Sequence, residues 1–159
     1  MNKIILASKS PRRIELLKMC NIDFDSLVAD IDEDLIKADI LASFKVVDTF
    51  EQAEILTKKL AREKALHVYR QRPNHLVVGS DTLVATEKSI LGKPKDPQDA
   101  YEILRELSGK VHRVYTGVSI IGPKYEDTFV SIAKVKFYDL DPPMGQIIKD
   151  YIASGSPMD

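Results

Sequence analysis

The sequence predicts an α/β fold: a mixed sheet with flanking helices. Three observations lead there. The short continuous apolar runs Ile4-Ile5-Leu6 and Leu76-Val77-Val78 read as buried strands, and helical patterns intervene between them. Two longer alternating segments, meeting at the turn signal Gly122-Pro123, read as a hairpin. Strand-helix units followed by a hairpin give a mixed sheet rather than a purely parallel one.

Each element has its own local signal. Lys3 to Ala7 is the first strand. Ser10 is placed to cap the next helix, with Pro11 as its first residue, and Ile14, Leu17 and the lone Cys20 are expected to face inward. Ile22 to Ala29 is extended and leads into the acidic segment Asp30, Asp32, Glu33 and Asp34, read as a loop. Thr49 and Gln52 have capping-box spacing and open a long helix to about Arg70, with Ala53, Leu56, Leu60 and Ala61 on its buried face. Pro73 stops it. Gly79-Ser80-Asp81-Thr82 then falls at or just past the end of the Leu76–Val78 strand, which Leu83 to Ala85 would continue. Asp96 and Pro97 begin a helix carrying Ala100, Ile103, Leu104 and Leu107, and Gly109 ends it. One hairpin strand shows Val114, Thr116, Val118 and Ile120 on one face. The other runs from about Phe129 to Tyr138, where a change of phase at Val130 and Ile132 hints at a bulge. Pro142 opens a last helix with Met144, Ile147, Ile148, Tyr151 and Ile152 on one face.

Composition narrows the functional classes. Lys and Arg total 23 against 24 Asp and Glu, a net charge of -1, which argues against broad nucleic-acid binding. A small anion needs only a few local cations and stays open. No apolar run approaches the ~20 residues of a membrane span, no secretory signal is visible, and one cysteine cannot pair within the chain. A cytoplasmic location without membrane attachment is the expectation. The length suits one domain over 1–159, with no repeat or linker.

Four stretches could carry chemistry. Ser8-Lys9-Ser10-Pro11-Arg12-Arg13 leaves a strand and enters a helix, whose first-turn amides attract anions. Two arginines there oppose the helix dipole, and bound phosphate would relieve the conflict; a solvated basic turn is the competing reading. Asp81, beyond a buried strand, can activate water or hold a metal, but Asp is also a common turn residue. Lys93, in Gly92-Lys93-Pro94, offers a cation in a rigid loop that lacks Walker spacing. The acidic run could supply a magnesium ligand or simply be solvated. His112, His67 and His75 show no metal spacing, and His112 reads as structural.

Taken together, these stretches resemble the Maf family of nucleoside triphosphate pyrophosphatases. The matching segments are Ala7–Arg13, Asp30-Ile31-Asp32-Glu33, Leu60-Ala61-Arg62-Glu63-Lys64-Ala65, Gly79-Ser80-Asp81-Thr82, Gly92-Lys93-Pro94 and Leu107–Val118, in the family's order and spacing. The resemblance implies a fold similar to that of inosine triphosphate pyrophosphatases, with a cleft between two lobes, a divalent metal (Mg2+ or Mn2+) and frequently a homodimer. It implies Asp81 as proton acceptor, with Ser8, Arg12, Arg13, Lys64 and Lys93 contacting the triphosphate. Glu33 would assist metal or phosphate binding, so the implied metal residues are Glu33 and Asp81. Arg12 and Thr82 match positions tied to substrate choice and point to the branch hydrolysing dTTP and UTP, modified pyrimidine nucleotides included. The alternatives are a 7-methyl-GTP pyrophosphatase and a nucleotide-binding regulator of cell division with little catalysis. One departure stands out. Ser154-Gly155-Ser156-Pro157 replaces the usual Ser-Gly-Glu-Pro, and the family's further C-terminal portion, with a glutamine expected at the base, is not in this sequence.

Overall fold

The computed structural model describes residues 3–43, 48–139 and 144–158. In chain order the elements are β1 (Ile4–Leu6), α1 (Pro11–Met19), β2 (Phe24–Ser26), α2 (Glu33–Ser43), α3 (Thr49–Gln71), β3 (Leu76–Ala85), β4 (Ile90–Leu91), α4 (Pro97–Leu107), β5 (Val111–Gly122), β6 (Tyr125–Lys136) and α5 (Met144–Ala153). A 3-10 turn at Ser156–Met158 follows. The sheet runs β2-β1-β3-β5-β6, with β4 beside β3. β2, β1 and β3 are parallel, whereas β3, β5 and β6 are antiparallel, so the expected mixed sheet is present.

The pairing around β3 leaves a gap. β5 occupies one edge of β3 from Val77 to Ala85. On the other edge β1 reaches only Val78, and β4 begins only at Val84. Between them the edge of β3 from Gly79 to Leu83 has no strand neighbour among the described residues. Asp81 therefore lies inside a ten-residue strand rather than beyond its end, because pairing with β5 carries β3 past the point where β1 stops.

Helix α3 lies across β3 and β5 and supplies most of the core. Leu56, Leu60, Ala61, Ala65 and Val68 are buried against Val77, Leu83, Tyr115 and Ile121. The approach is close. A Cβ on Gly79 would collide with the Ala61 carbonyl oxygen and the Ala65 amide, and one on Gly117 with the Thr57 backbone. On β5 the fully buried face is thus Tyr115, Gly117, Ser119 and Ile121, while Val114, Thr116, Val118 and Ile120 are half-buried on the opposite face.

Several local expectations are corrected. Asp48, not Thr49, caps α3, accepting from the Phe50 and Glu51 amides at 2.8 and 3.1 Å. The acidic segment opens a helix, since Asp32 accepts from the Leu35 amide at 2.9 Å and behaves as an N-cap. Cys20 is exposed, and α1 buries no residue fully. The β5–β6 register runs unbroken from Val111–Lys136 to Gly122–Tyr125, so there is no bulge. β6 is an edge strand covered thinly on both faces, and strict alternation is not enforced there. On α5 Ile148 is buried, while Ile147 and Tyr151 are exposed; Pro142 lies outside the described residues.

His112 is 3% exposed, packs edge-on to Phe137, and its Nδ1 makes no hydrogen bond. Desolvation pushes its pKa below the ordinary 6.5. The unfolded chain then takes up the proton first as pH falls, so stability is complete above about 6.5 and declines below it, until the folded-state pKa is passed. Urea midpoints between pH 7.5 and 5.5 should fall more steeply for the wild type than for His112→Phe; parallel slopes would remove His112 as the cause. A second expectation concerns the helix contact. Gly79→Ala should cost at least about 1–3 kcal/mol in urea unfolding, because backbone atoms must shift. Gly145→Ala, where a Cβ meets nothing within 4 Å, should change stability by no more than about 1 kcal/mol.

Candidate active site

The strand β1 ends at Leu6, and the chain turns through Ala7 to Ser10 across the open edge of β3. The turn is fixed internally. The Ala7 amide donates to the Val78 carbonyl at 2.8 Å, the Ser8 hydroxyl accepts from the Ser10 amide at 3.1 Å, and the Ser26 hydroxyl donates to the Ser8 carbonyl at 2.6 Å. Ser10 makes no side-chain cap on α1, and Pro11 sets the helix start.

Arg13 reaches back from this first turn to the gap in β3. Its guanidinium donates to the Ser80 carbonyl at 2.8 Å and to the Thr82 hydroxyl at 3.1 Å, with Ser8 Oγ at 3.4 Å. Arg13 thus satisfies a strand carbonyl that no neighbouring strand reaches. Arg12 points elsewhere. It donates to the Ser156 carbonyl at 2.9 Å, with the Ser156 hydroxyl at 3.4 Å, and so ties α1 to the C-terminal turn.

On the α3 side of β3, Lys64 and Asp81 meet in the interior, 9% and 7% exposed. Lys64 Nζ donates to Asp81 Oδ1 at 2.6 Å and lies 3.0 Å from Glu33 Oε1. Glu33 is the first residue of α2, so the cap at Asp32 is what aims it inward. Of the rest of the acidic run, Asp32 is committed to the cap and Asp34 lies 3.8 Å from Lys37 on the surface. Among the described residues no group of three or more His, Cys, Asp or Glu could hold a metal ion.

One cavity of about 1000 Å³ joins these groups. Ser8, Arg12, Arg13, Glu33, Lys64, Asp81, Thr82 and Lys93 all line it. These eight residues thus face a single cleft, with cations and carboxylates interleaved, whereas Asp32, Asp34 and the three histidines do not line it. Lys93 comes from the loop after β4, and its side chain is exposed. Sequence reasoning missed Ser156 and Tyr151, which also line the cleft, and the Ser80 carbonyl. For Ser156 the signal was its departure from the family's Ser-Gly-Glu-Pro, which carries no hint of a contact with Arg12. For Lys64 there was one independent of any resemblance. Leu56, Leu60, Lys64 and Val68 recur every fourth residue on the buried stripe of α3, and a lysine there requires a charged partner.

The Maf-like protein family matches residues 3–159. The chain is 39% identical over 157 residues to a dTTP/UTP pyrophosphatase of Aquifex aeolicus, covering 99% of this chain and 74% of that protein. It is 40% identical over 159 residues to a dTTP/UTP pyrophosphatase of a Geobacillus species, covering 100% and 77%. A Bacillus cereus protein of the same name is 38% identical over 159 residues, covering 100% and 75%. These matches span all of the cleft-lining stretches, and the chain belongs to the Maf family.

Proposed function

We propose that the protein hydrolyses dTTP and UTP to the nucleoside monophosphate and pyrophosphate. One observation carries this reading: four cationic side chains, Arg12, Arg13, Lys64 and Lys93, share a cleft with the buried carboxylate of Asp81. Such a set suits a polyanion that must be held while a water molecule is activated beside it. The names of the relatives supply the pyrimidine nucleotides, rather than 7-methyl-GTP, and the reaction class.

In the mechanism we infer, Ser8 and the amides at the start of α1 receive phosphate oxygens, while Arg12, Arg13 and Lys93 spread charge over the leaving pyrophosphate. Asp81, through the oxygen that Lys64 does not hold, accepts a proton from a water attacking the α-phosphorus. The bond between the α-phosphorus and the bridging oxygen breaks, and pyrophosphate departs. Thr82, beside Arg13, contributes to substrate choice.

The donor set fits a divalent cation. Two carboxylates, Glu33 and Asp81, both approach one nitrogen to within 3.0 Å, and Mg2+ or Mn2+ commonly takes one or two carboxylates plus substrate phosphates and water. When bound, the ion neutralises phosphate charge and polarises the oxygens around the reacting phosphorus. The same reading has the protein acting in the cytoplasm as a homodimer. Among the described residues no helix is long and apolar enough to cross a membrane.

Pyrophosphate release measured over a panel of nucleoside triphosphates with Mg2+ or Mn2+ tests the assignment. dTTP and UTP should be the best substrates; release from neither would end it. Asp81→Asn should lower turnover by about 10²–10⁴-fold with nucleotide binding retained, the contribution ordinary for a general base. Arg13→Ala should raise KM and lower kcat together, because it removes a cation and frees the β3 edge. A change confined to KM would make Arg13 a binding residue only.

A further inference from the structure

The ammonium of Lys64 is enclosed by the carboxylates that the proposed chemistry needs. It lies 2.6 Å from Asp81 Oδ1 and 3.0 Å from Glu33 Oε1, and its side chain is 11% exposed. A divalent cation held by the same two carboxylates requires the same space. An ammonium left beside it would be repelled without solvent to screen the two charges. We infer that Lys64 is a displaceable internal counter-cation, holding Asp81 and Glu33 together and excluding the divalent ion until phosphate draws the lysine away.

The placement supports displacement rather than a fixed strut. Lys64 lies on the buried stripe of α3, in line with Leu60 and Val68, and its long alkyl stem carries the ammonium at the cleft wall. Rotation about that stem can carry the nitrogen toward the cleft without moving the helix. Glu33 is 41% exposed at its side chain, so one of the two carboxylates already faces solvent. A triphosphate entering beside Ser8 and Arg13 would offer Lys64 an alternative anion. That exchange would leave both carboxylates for the metal. Metal and substrate then bind with positive coupling, and by linkage each tightens the other. The inference rests on reading the cleft as a triphosphate site.

The test is a Mn2+ titration of the full chain without nucleotide, followed by the EPR signal of free Mn2+. Lys64→Met should bind Mn2+ tighter than the wild type by at least about 5-fold, the low end of ordinary coupling between sites. Adding Glu33→Gln to Lys64→Met should return the affinity to the wild-type level. Equal Mn2+ affinity in the wild type and Lys64→Met overturns the inference, as does a gain that survives Glu33→Gln. If Lys64→Met does not fold, Lys64→Gln is read by the same criteria, its amide still able to bond a carboxylate. No nucleotide enters the titration, so failure here leaves the pyrophosphatase reading standing. Failure to hydrolyse dTTP or UTP would remove the pyrophosphatase reading while leaving the Mn2+ competition with Lys64 to be read on its own.

Discussion

The close seating of α3 on β3 and β5 is the constraint from which the rest of the site follows. Gly79 and Gly117 leave room for the helix backbone, and Thr57, Ala61 and Ala65 meet them with small side chains. At that separation a lysine one turn from Leu60 extends no farther than the neighbouring strand before meeting Asp81. A larger residue at either glycine would push the helix outward and lengthen the Lys64–Asp81 contact. The contact that matters for chemistry is therefore set by the two glycines over which the helix seats, one of them Asp81's partner on β5.

A buried lysine with two carboxylates is an expensive arrangement if stability alone is considered. Desolvation of the buried Lys64–Asp81 pair offsets most of its attraction, and a well-packed apolar set of similar volume is often as stable. Removing one partner from such a set is costly, about 3–5 kcal/mol, because the remaining charge stays buried. The cluster thus restricts which single substitutions the fold tolerates, and its presence is better accounted for by function than by stability. Arg13 works in the opposite way. It occupies a strand edge that would otherwise lack a hydrogen-bond partner, so one guanidinium serves both the sheet and the cleft.

Much of this was legible from the sequence. The apolar runs located β1 and the first part of β3, and proline after a capping residue located α1 and α4, since both signals act within a few residues. The signals that failed depended on distant neighbours. Asp81 looked like the residue after a strand, because nothing local reveals that β5 extends the pairing to Ala85. Val114, Thr116, Val118 and Ile120 stand out together on one face, yet the fully buried face holds Gly117 and Ser119, small residues that a hydrophobicity pattern undervalues where a helix approaches closely. The acidic segment hid a helix start: Asp32 was available as a cap ahead of Leu35, Ile36 and Ile40, but the charge of the run suggested solvent. Arg12, Arg13, Asp81 and Lys93 stood out by type and position, Lys64 and Thr82 only through the family resemblance, and their common cleft follows from the gap in β3.

That gap also explains why residues with opposite side-chain directions can act on one substrate. Along a strand, Asp81 points to one face while Ser80 and Thr82 point to the other. In the middle of a fully paired sheet the two faces would be separate compartments. Here β1 stops at Leu6 and β4 starts at Ile90, and between them the cleft passes around the edge of β3. Arg13, held by Ser80 and Thr82, and Lys64, held by Asp81, approach that passage from its two sides. A phosphate chain threaded past an open strand edge can meet both groups at once. Extending β1 along β3 through Ala7 and Ser8 would take the Ser80 edge from Arg13 and close the passage, so the shared site depends on β1 stopping at Leu6.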